Sequence, residues 1–197
     1  MIVVDLKTGT SIPVSTALQT AGYKILYNSR DESSTLMFDE PTHTYRVNNG
    51  VKVASVTEVL SNVLAPYVCR APSIDVSIAA AFGRAVHTAC AYHALGVLNN
   101  AVLDPKLRPY LEAFISARKF LDLKFVAVET PIFSAKYNLA GTPDFIADNG
   151  KAKVTQRLAI LLMPDERFKV VEYSDAADVT RFTSALNVFQ WKRKQGA

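Results

Sequence analysis

The chain opens on Ile2-Val3-Val4, a continuous apolar run too hydrophobic to fray in water, followed at once by Asp5-Leu6-Lys7-Thr8-Gly9. Such a run reads as a buried strand that leaves the core at a turn. A buried strand at residues 2–7 needs a sheet to receive it, so the expectation is a central mixed sheet flanked by helices. The 197 residues, 49% of them apolar, suit a single domain over 1–197 with a core that needs no staples. Cys69 and Cys90 are too few for a disulfide framework or a four-cysteine metal site, and read as small core residues in a reducing compartment. No apolar run approaches the ~18–20 residues that span a bilayer. The N-terminus lacks the basic region and cleavage site of a signal peptide. These features lead us to expect a soluble, cytoplasmic α/β domain with no membrane partner. The net charge of +4 permits an anionic partner without requiring one.

Along the chain, Ser15 is a candidate cap for a helix through Tyr27, with Leu18, Ala21 and Ile25 on its apolar face and Gly22 inside it. A polar loop spans 28–34. Residues 36–47 read as a strand pair, with Asn48-Asn49-Gly50 as the next hairpin turn. Ser55 and Glu58 fit a capping box. Helices are expected at 74–95 and at 105–122, the latter opened by Asp104-Pro105. Strands are expected at 125–133 and 139–147, with Asp148-Asn149-Gly150-Lys151 as a hairpin signal, and then at 157–163 and 168–173. A last helix, 176–193, ends in Lys192, Arg193 and Lys194.

Some residues stand out against this background. Asp144, in Gly141-Thr142-Pro143-Asp144, lies in an apolar segment where a carboxylate needs a cation or a hydrogen-bonding partner. A turn aspartate is the simpler reading of that motif alone. Asp5 and Lys7, two apart on a strand, project from one face. That pairing suits metal-assisted phosphodiester hydrolysis, in which a carboxylate holds a hard cation and a lysine acts on water or phosphate. About two acid-x-base triplets are expected by chance in such a composition. Asp104-Pro105-Lys106 and Asp122-Leu123-Lys124 are further examples, but only Asp5 follows an apolar strand run. Gln19 and Tyr23, four apart, share a helix face, which fits either a DNA contact or a polar surface stripe. His87 follows Gly83-Arg84-Ala85-Val86 on an apolar helix, where a structural role is the commoner one. Glu129, in Val128-Glu129-Thr130-Pro131, can equally be an edge-strand glutamate.

Together these pieces resemble the PD-(D/E)XK nuclease superfamily in its phage-type RecB and λ-exonuclease-like branch. Phe38-Asp39-Glu40 through His43 and Tyr45, with Ala54-Ser55-Val56-Thr57-Glu58-Val59-Leu60, look like that branch's opening. Gly83 to His87 resembles its helical histidine motif, and Glu129 with Gly141 to Asp144 resembles its first acidic strand. In the family an acid-x-Lys strand and a Gln-x-x-x-Tyr helix come next. Here Lys151-Ala152-Lys153-Val154 runs straight on to the closing strands from Arg157, and the missing pieces resemble residues 1–30. The chain then divides into a transposed segment 1–30, a body over 36–153 and a closing part over 157–197. What the resemblance implies is a restriction-endonuclease-like core with rearranged connectivity and a divalent-metal-dependent DNA nuclease, an exonuclease. Asp144 and Asp5 would hold Mg²⁺ or Mn²⁺, with His87 and the Leu6 carbonyl as added ligands and Glu129 as an outer one. Lys7 would act on water or phosphate. Thr8, Gln19 and Tyr23 would contact DNA, and Lys192, Arg193 and Lys194 would add a cationic tail. The alternatives are a catalytically impaired nucleic-acid-binding relative and a purely structural or protein-binding domain.

Overall fold

The apolar N-terminal run does form a strand, and the other elements assemble around it. The structure, a computed structural model, describes residues 1–39, 41–48, 50–64 and 76–196. In chain order the first elements are β1 (Ile2–Thr8), α1 (Thr16–Asn28), β2 (Leu36–Asp39), β3 (Thr44–Val47), β4 (Val51–Ser55), α2 (Val56–Val63) and α3 (Val76–Leu95). After them come α4 (Arg108–Phe120), β5 (Lys124–Val128), β6 (Ile132–Ser134), β7 (Leu139–Gly141), β8 (Phe145–Asp148), β9 (Gln156–Leu162), β10 (Phe168–Glu172) and α5 (Ala177–Lys194). This is an α/β fold with two mixed sheets, ordered β10-β9-β1-β8-β5 and β2-β3-β4-β7-β6, flanked by helices.

β1 is antiparallel to β8 through Ile2↔Ala147, Val3↔Ile146 and Val4↔Phe145, and parallel to β9 from Ile2↔Gln156 to Thr8↔Leu162. The N-terminal strand therefore lies beside the Asp144 strand, as expected. Strand alternation divides its side chains between two cores. Val3 and Ile146 join Leu26, Val56, Phe182 and Leu186 under α1, α2 and α5. Ile2, Val4 and Leu6 join Val86, Phe114, Phe145 and Ile160 under α3 and α4. Asp5 and Lys7, in step with Val3, point toward α1. The Ser55–Glu58 capping box starts α2 as expected, with Glu58 N–H donating to Ser55 Oγ at 2.9 Å.

Several local details differ from what the sequence suggests. The strands expected over 125–133 and 139–147 are each cut in two. Glu129, at φ +44°, and Pro131 end one, and Pro143, which has no N–H, interrupts the other. β5 pairs with β8 in the first sheet and β6 with β7 in the second, so both connections cross between the sheets at one place. Asp148-Asn149-Gly150-Lys151 does not join neighbouring strands, because β1 fills the slot between β8 and β9. The Met1 ammonium instead secures this loop, donating to Asn149 Oδ1 and to the Lys151 and Lys153 carbonyls. β1 runs on past Asp5 to Thr8, and the turn comes at Gly9, φ +114°. β4 is an additional strand before α2. Ser15 makes no side-chain cap; Thr16 N–H donates to the Pro13 carbonyl in a turn that starts α1. Asp104 holds a turn ahead of α4, whose first-turn proline is Pro109. Cys90 is buried in the core. Cys69, Glu40, Asn49 and the expected helix start at 74–75 lie outside the described residues. Among the described residues no helix is long and apolar enough to cross a membrane.

Candidate functional site

The crossing between the sheets gathers the polar residues. Asp144 precedes β8, and its Oδ2 accepts the Leu6 N–H at 2.6 Å, across 138 residues of chain. That amide is open because β8 stops pairing with β1 at Val4, so the carboxylate takes the next rung of the ladder. The N–H and C=O of a strand residue face the same side, so the Leu6 carbonyl projects from this edge too. His87 comes from α3, with its Nδ1 3.5 Å from Asp144 Oδ2. α3 can approach β1 because Gly83, one turn earlier, has no Cβ; one there would stand 3.2 Å from Thr8 Oγ1. Glu129 joins from the end of β5. Its N–H donates to the Asp144 carbonyl at 2.9 Å, and its left-handed backbone is uncommon for a side-chain-bearing residue. One ligand atom each from His87, Glu129 and Asp144 lie within 4.8 Å of one another.

On the α1 side a polar chain leads away from this cluster. Lys7 Nζ lies 2.8 Å from Asp5 Oδ2 and donates to Gln19 Oε1 at 3.3 Å, and Gln19 Nε2 donates to the Tyr23 hydroxyl at 3.3 Å. Asp5 is 1% exposed. Its Oδ2 has an ion pair but no aligned hydrogen-bond donor among the described residues. Gly141 lets the Tyr23 ring in, since a Cβ there would stand 3.0 Å from Tyr23 Cε1. Arg157, also buried, fixes the start of α1 and α5: it donates to the Ala17 and Asp175 carbonyls and to Asp178 Oδ2, each at 2.9 Å.

The electrostatics separate the two aspartates. Burial pushes the Asp5 carboxyl up, the Asp144 charge adds to this, and Lys7 opposes it. Burial acts on Asp144 in the same direction but is outweighed by His87, Lys7 and the Leu6 N–H, so its carboxyl lies below the usual range. His87 is the complement. Burial works against its charge, but Asp144, with Glu129 and Asp5, raises its pKa to about 9. Burial, with the charges of Asp5 and Asp144 nearby, pushes the Tyr23 hydroxyl up and keeps it protonated.

The remaining expected residues sit elsewhere. Thr8 packs at the α3 contact. Lys192 donates to the Asn62 carbonyl at 3.4 Å, Arg193 lies 5.8 Å over the Phe189 ring, and Lys194 is exposed on the last turn of α5. Their described contacts are at the α2–α5 end and not at the acidic cluster. Two features were not anticipated. The Tyr45 hydroxyl is 2.8 Å from Thr142 Oγ1, which ties β3 to the Asp144 turn. Arg157 had a visible signal, a lone cation beside the apolar run Leu158 to Leu162, the mirror image of the argument for Asp144.

No protein-family model matches the chain, and no curated protein matches it. The chemistry of the site must therefore speak for itself. One imidazole and two carboxylates, closely spaced, can hold a metal ion. The buried Asp5 carboxylate lies outside this trio, feels the charges of Asp144 and His87, and is paired with the Lys7 ammonium at 2.8 Å.

Proposed function

We propose that the chain is a divalent-metal-dependent deoxyribonuclease of the PD-(D/E)XK kind, acting on DNA ends with Mg²⁺ or Mn²⁺. The observation that supports this most is the slot taken by β1. The acid-x-lysine strand, out of order in the chain, lies between the Pro143-Asp144 strand and the closing strands. There Leu6 binds Asp144, and Asp5 and Lys7 project on the side of the Gln19 and Tyr23 helix. His87, Glu129 and Asp144 would hold the cation, with Asp5 and the Leu6 carbonyl supplying further oxygens. A bound divalent cation supplies a nucleophile from water and offsets charge on the phosphate. Lys7, held between Asp5 and Gln19 with 20% of its side chain exposed, can orient that water and meet developing phosphate charge. Gln19 fixes the ammonium, and α1 with Thr8 offers the surface along which the DNA strand runs. Lys192, Arg193 and Lys194 extend a cationic face for salt-dependent backbone binding.

The test is cleavage of end-labelled linear and covalently closed circular DNA with Mg²⁺, Mn²⁺ or EDTA. Metal-dependent loss of label from linear DNA alone is expected; intact substrate with both metals would sink the reading. A catalytically impaired, nucleic-acid-binding relative is the second reading, favoured by the position of Asp5 outside the tight trio. DNA binding without cleavage in the same assay would select it.

A further inference from the structure

A groove of about 440 Å³ opens beside the acidic cluster, between the β3–β4 hairpin and α2. It shares walls with the site. Tyr23 lines it from α1, and Tyr45 lines it while its hydroxyl meets Thr142, two residues before Asp144. Across the groove stand hydroxyls of Thr57 and Ser61, and Lys52 stands exposed on β4. His43 presents an exposed ring, held edge-on by Phe38 at 5.7 Å, and Phe38 is in turn stacked on Tyr45 at 4.6 Å. The backbone of His43 is left-handed, φ +47°, in the turn between β2 and β3 that carries this ring.

We propose that this groove receives one unpaired nucleotide of the DNA strand next to the cleaved phosphate. The inference rests on the nuclease reading and names the form of its substrate. The exposed His43 ring offers a stacking face that any base can use. The Thr57 hydroxyl can donate to or accept from a base edge, and the Ser61 hydroxyl, which donates to the Thr57 carbonyl at 2.8 Å, can accept from one. Lys52 meets the backbone phosphate. Glu58 also lines the groove, its carboxylate turned to the Ser55 N–H at 3.4 Å, so this wall suits a base amine and repels a phosphate. A cavity on the small-molecule scale takes a single nucleotide and not a base pair.

The experiment uses the full chain in EDTA at fixed salt, with fluorescence anisotropy of labelled oligo-dT and of a blunt duplex of equal length. The variants are His43→Asn, whose side chain tolerates the left-handed backbone, Lys52→Glu, and the pair together. Lys169→Glu, on the edge strand β10, is the charge-matched control. The expected result is oligo-dT affinity lower by about tenfold in the double variant, with smaller loss for the duplex and for the control. Equal affinity in parent and double variant overturns the groove, as does an equal loss in the control. Cleavage assays on the same proteins separate the two readings. A parent that never cleaves while the single-strand loss persists removes the nuclease and leaves the groove supported. A parent that cleaves while the variants bind normally removes the groove alone.

Discussion

At the scale of single residues, the two aspartates make opposite contributions to stability. The Asp5 carboxyl is pushed up, first by burial, so the folded state binds its proton more tightly than the unfolded state does. Its ionisation subtracts stability as pH rises through that raised value. Asp5→Asn should therefore raise the melting temperature of the metal-free protein near neutral pH while cleavage falls by orders of magnitude. Differential scanning fluorimetry and an end-label assay on one sample check both, and a lowered melting temperature would show that the Lys7 pair outweighs burial. His87 has the opposite sign. Its pKa is raised to about 9, so its contribution to stability is full below about 6.5 and is lost as pH rises through about 9. A ligand nitrogen must shed that proton. Mn²⁺ binding at about pH 7.5 should release about one proton, and affinity should climb about tenfold per pH unit toward pH 9. Calorimetry in buffers of different ionisation enthalpy measures the release; a buffer-independent heat would remove His87 from the ligand set. Asp144, Asp5, Lys7 and His87 were legible because each breaks an apolar pattern around it. Glu129 was singled out through the resemblance, as an outer ligand beside Asp144; its closeness to His87 depends on a left-handed backbone turn that its residue type does not signal.

At the scale of elements, α1 shows why local propensity misleads. Gly22 weakens a helix interior by ~1 kcal/mol relative to alanine, yet a Cβ there would stand 2.8 Å from the Phe182 ring and from Val56 Cγ1. The glycine lets α1, α2 and α5 close on one another, and that packing holds Gln19 and Tyr23 over Lys7. Gly22→Ala should thus destabilise by about 1–3 kcal/mol despite its better propensity. Urea unfolding checks this, and an unchanged or raised midpoint would mean the helices can shift apart freely. The elements themselves were mostly legible: β1, α2, β9, β10 and α5 lie within a residue or so of where the sequence places them. The two strands that split were not. Apolar residues resume on the far side of each crossing, so Glu129-Thr130-Pro131 and Thr142-Pro143-Asp144 read as interruptions within one strand, although pairing changes sheets there. The Asp148-Asn149-Gly150 turn misled for a related reason. A turn signal reports that the chain reverses, while which strands become neighbours is decided by what fills the space between them.

At the scale of the whole molecule, the first strand and helix start and finish beside the loop that leads into β9. The Met1 ammonium donates to the Lys151 carbonyl at 2.8 Å, and the Thr155 N–H donates to the Met1 carbonyl at 2.9 Å. At the other end, Asn28 Oδ1 accepts the Val154 N–H at 2.6 Å and Asn28 Nδ2 donates to the Val154 carbonyl at 3.2 Å. Residues 1–28 therefore begin and end against residues 151–154, and a chain that joined Asn28 to Val154 would make β1-α1-β9 a parallel crossover. A site depends on where its side chains stand and not on the sequence order that brings them there. A chain built as 29–150, then 1–28, then 154–197, with short glycine-serine joints, should fold to the same two sheets. Short joints between ends already in contact alter closure entropy little, so its stability should lie within about 2 kcal/mol of the parent. Its metal-dependent cleavage should match the parent's. Urea midpoints and end-label assays on both proteins decide the matter. A rearranged chain that folds at the expected midpoint but loses the cleavage of the parent would show that the N-terminal ammonium and its three acceptors set the position of β1 in the site. One that does not fold would show that the Met1 anchor holds the central strand in place.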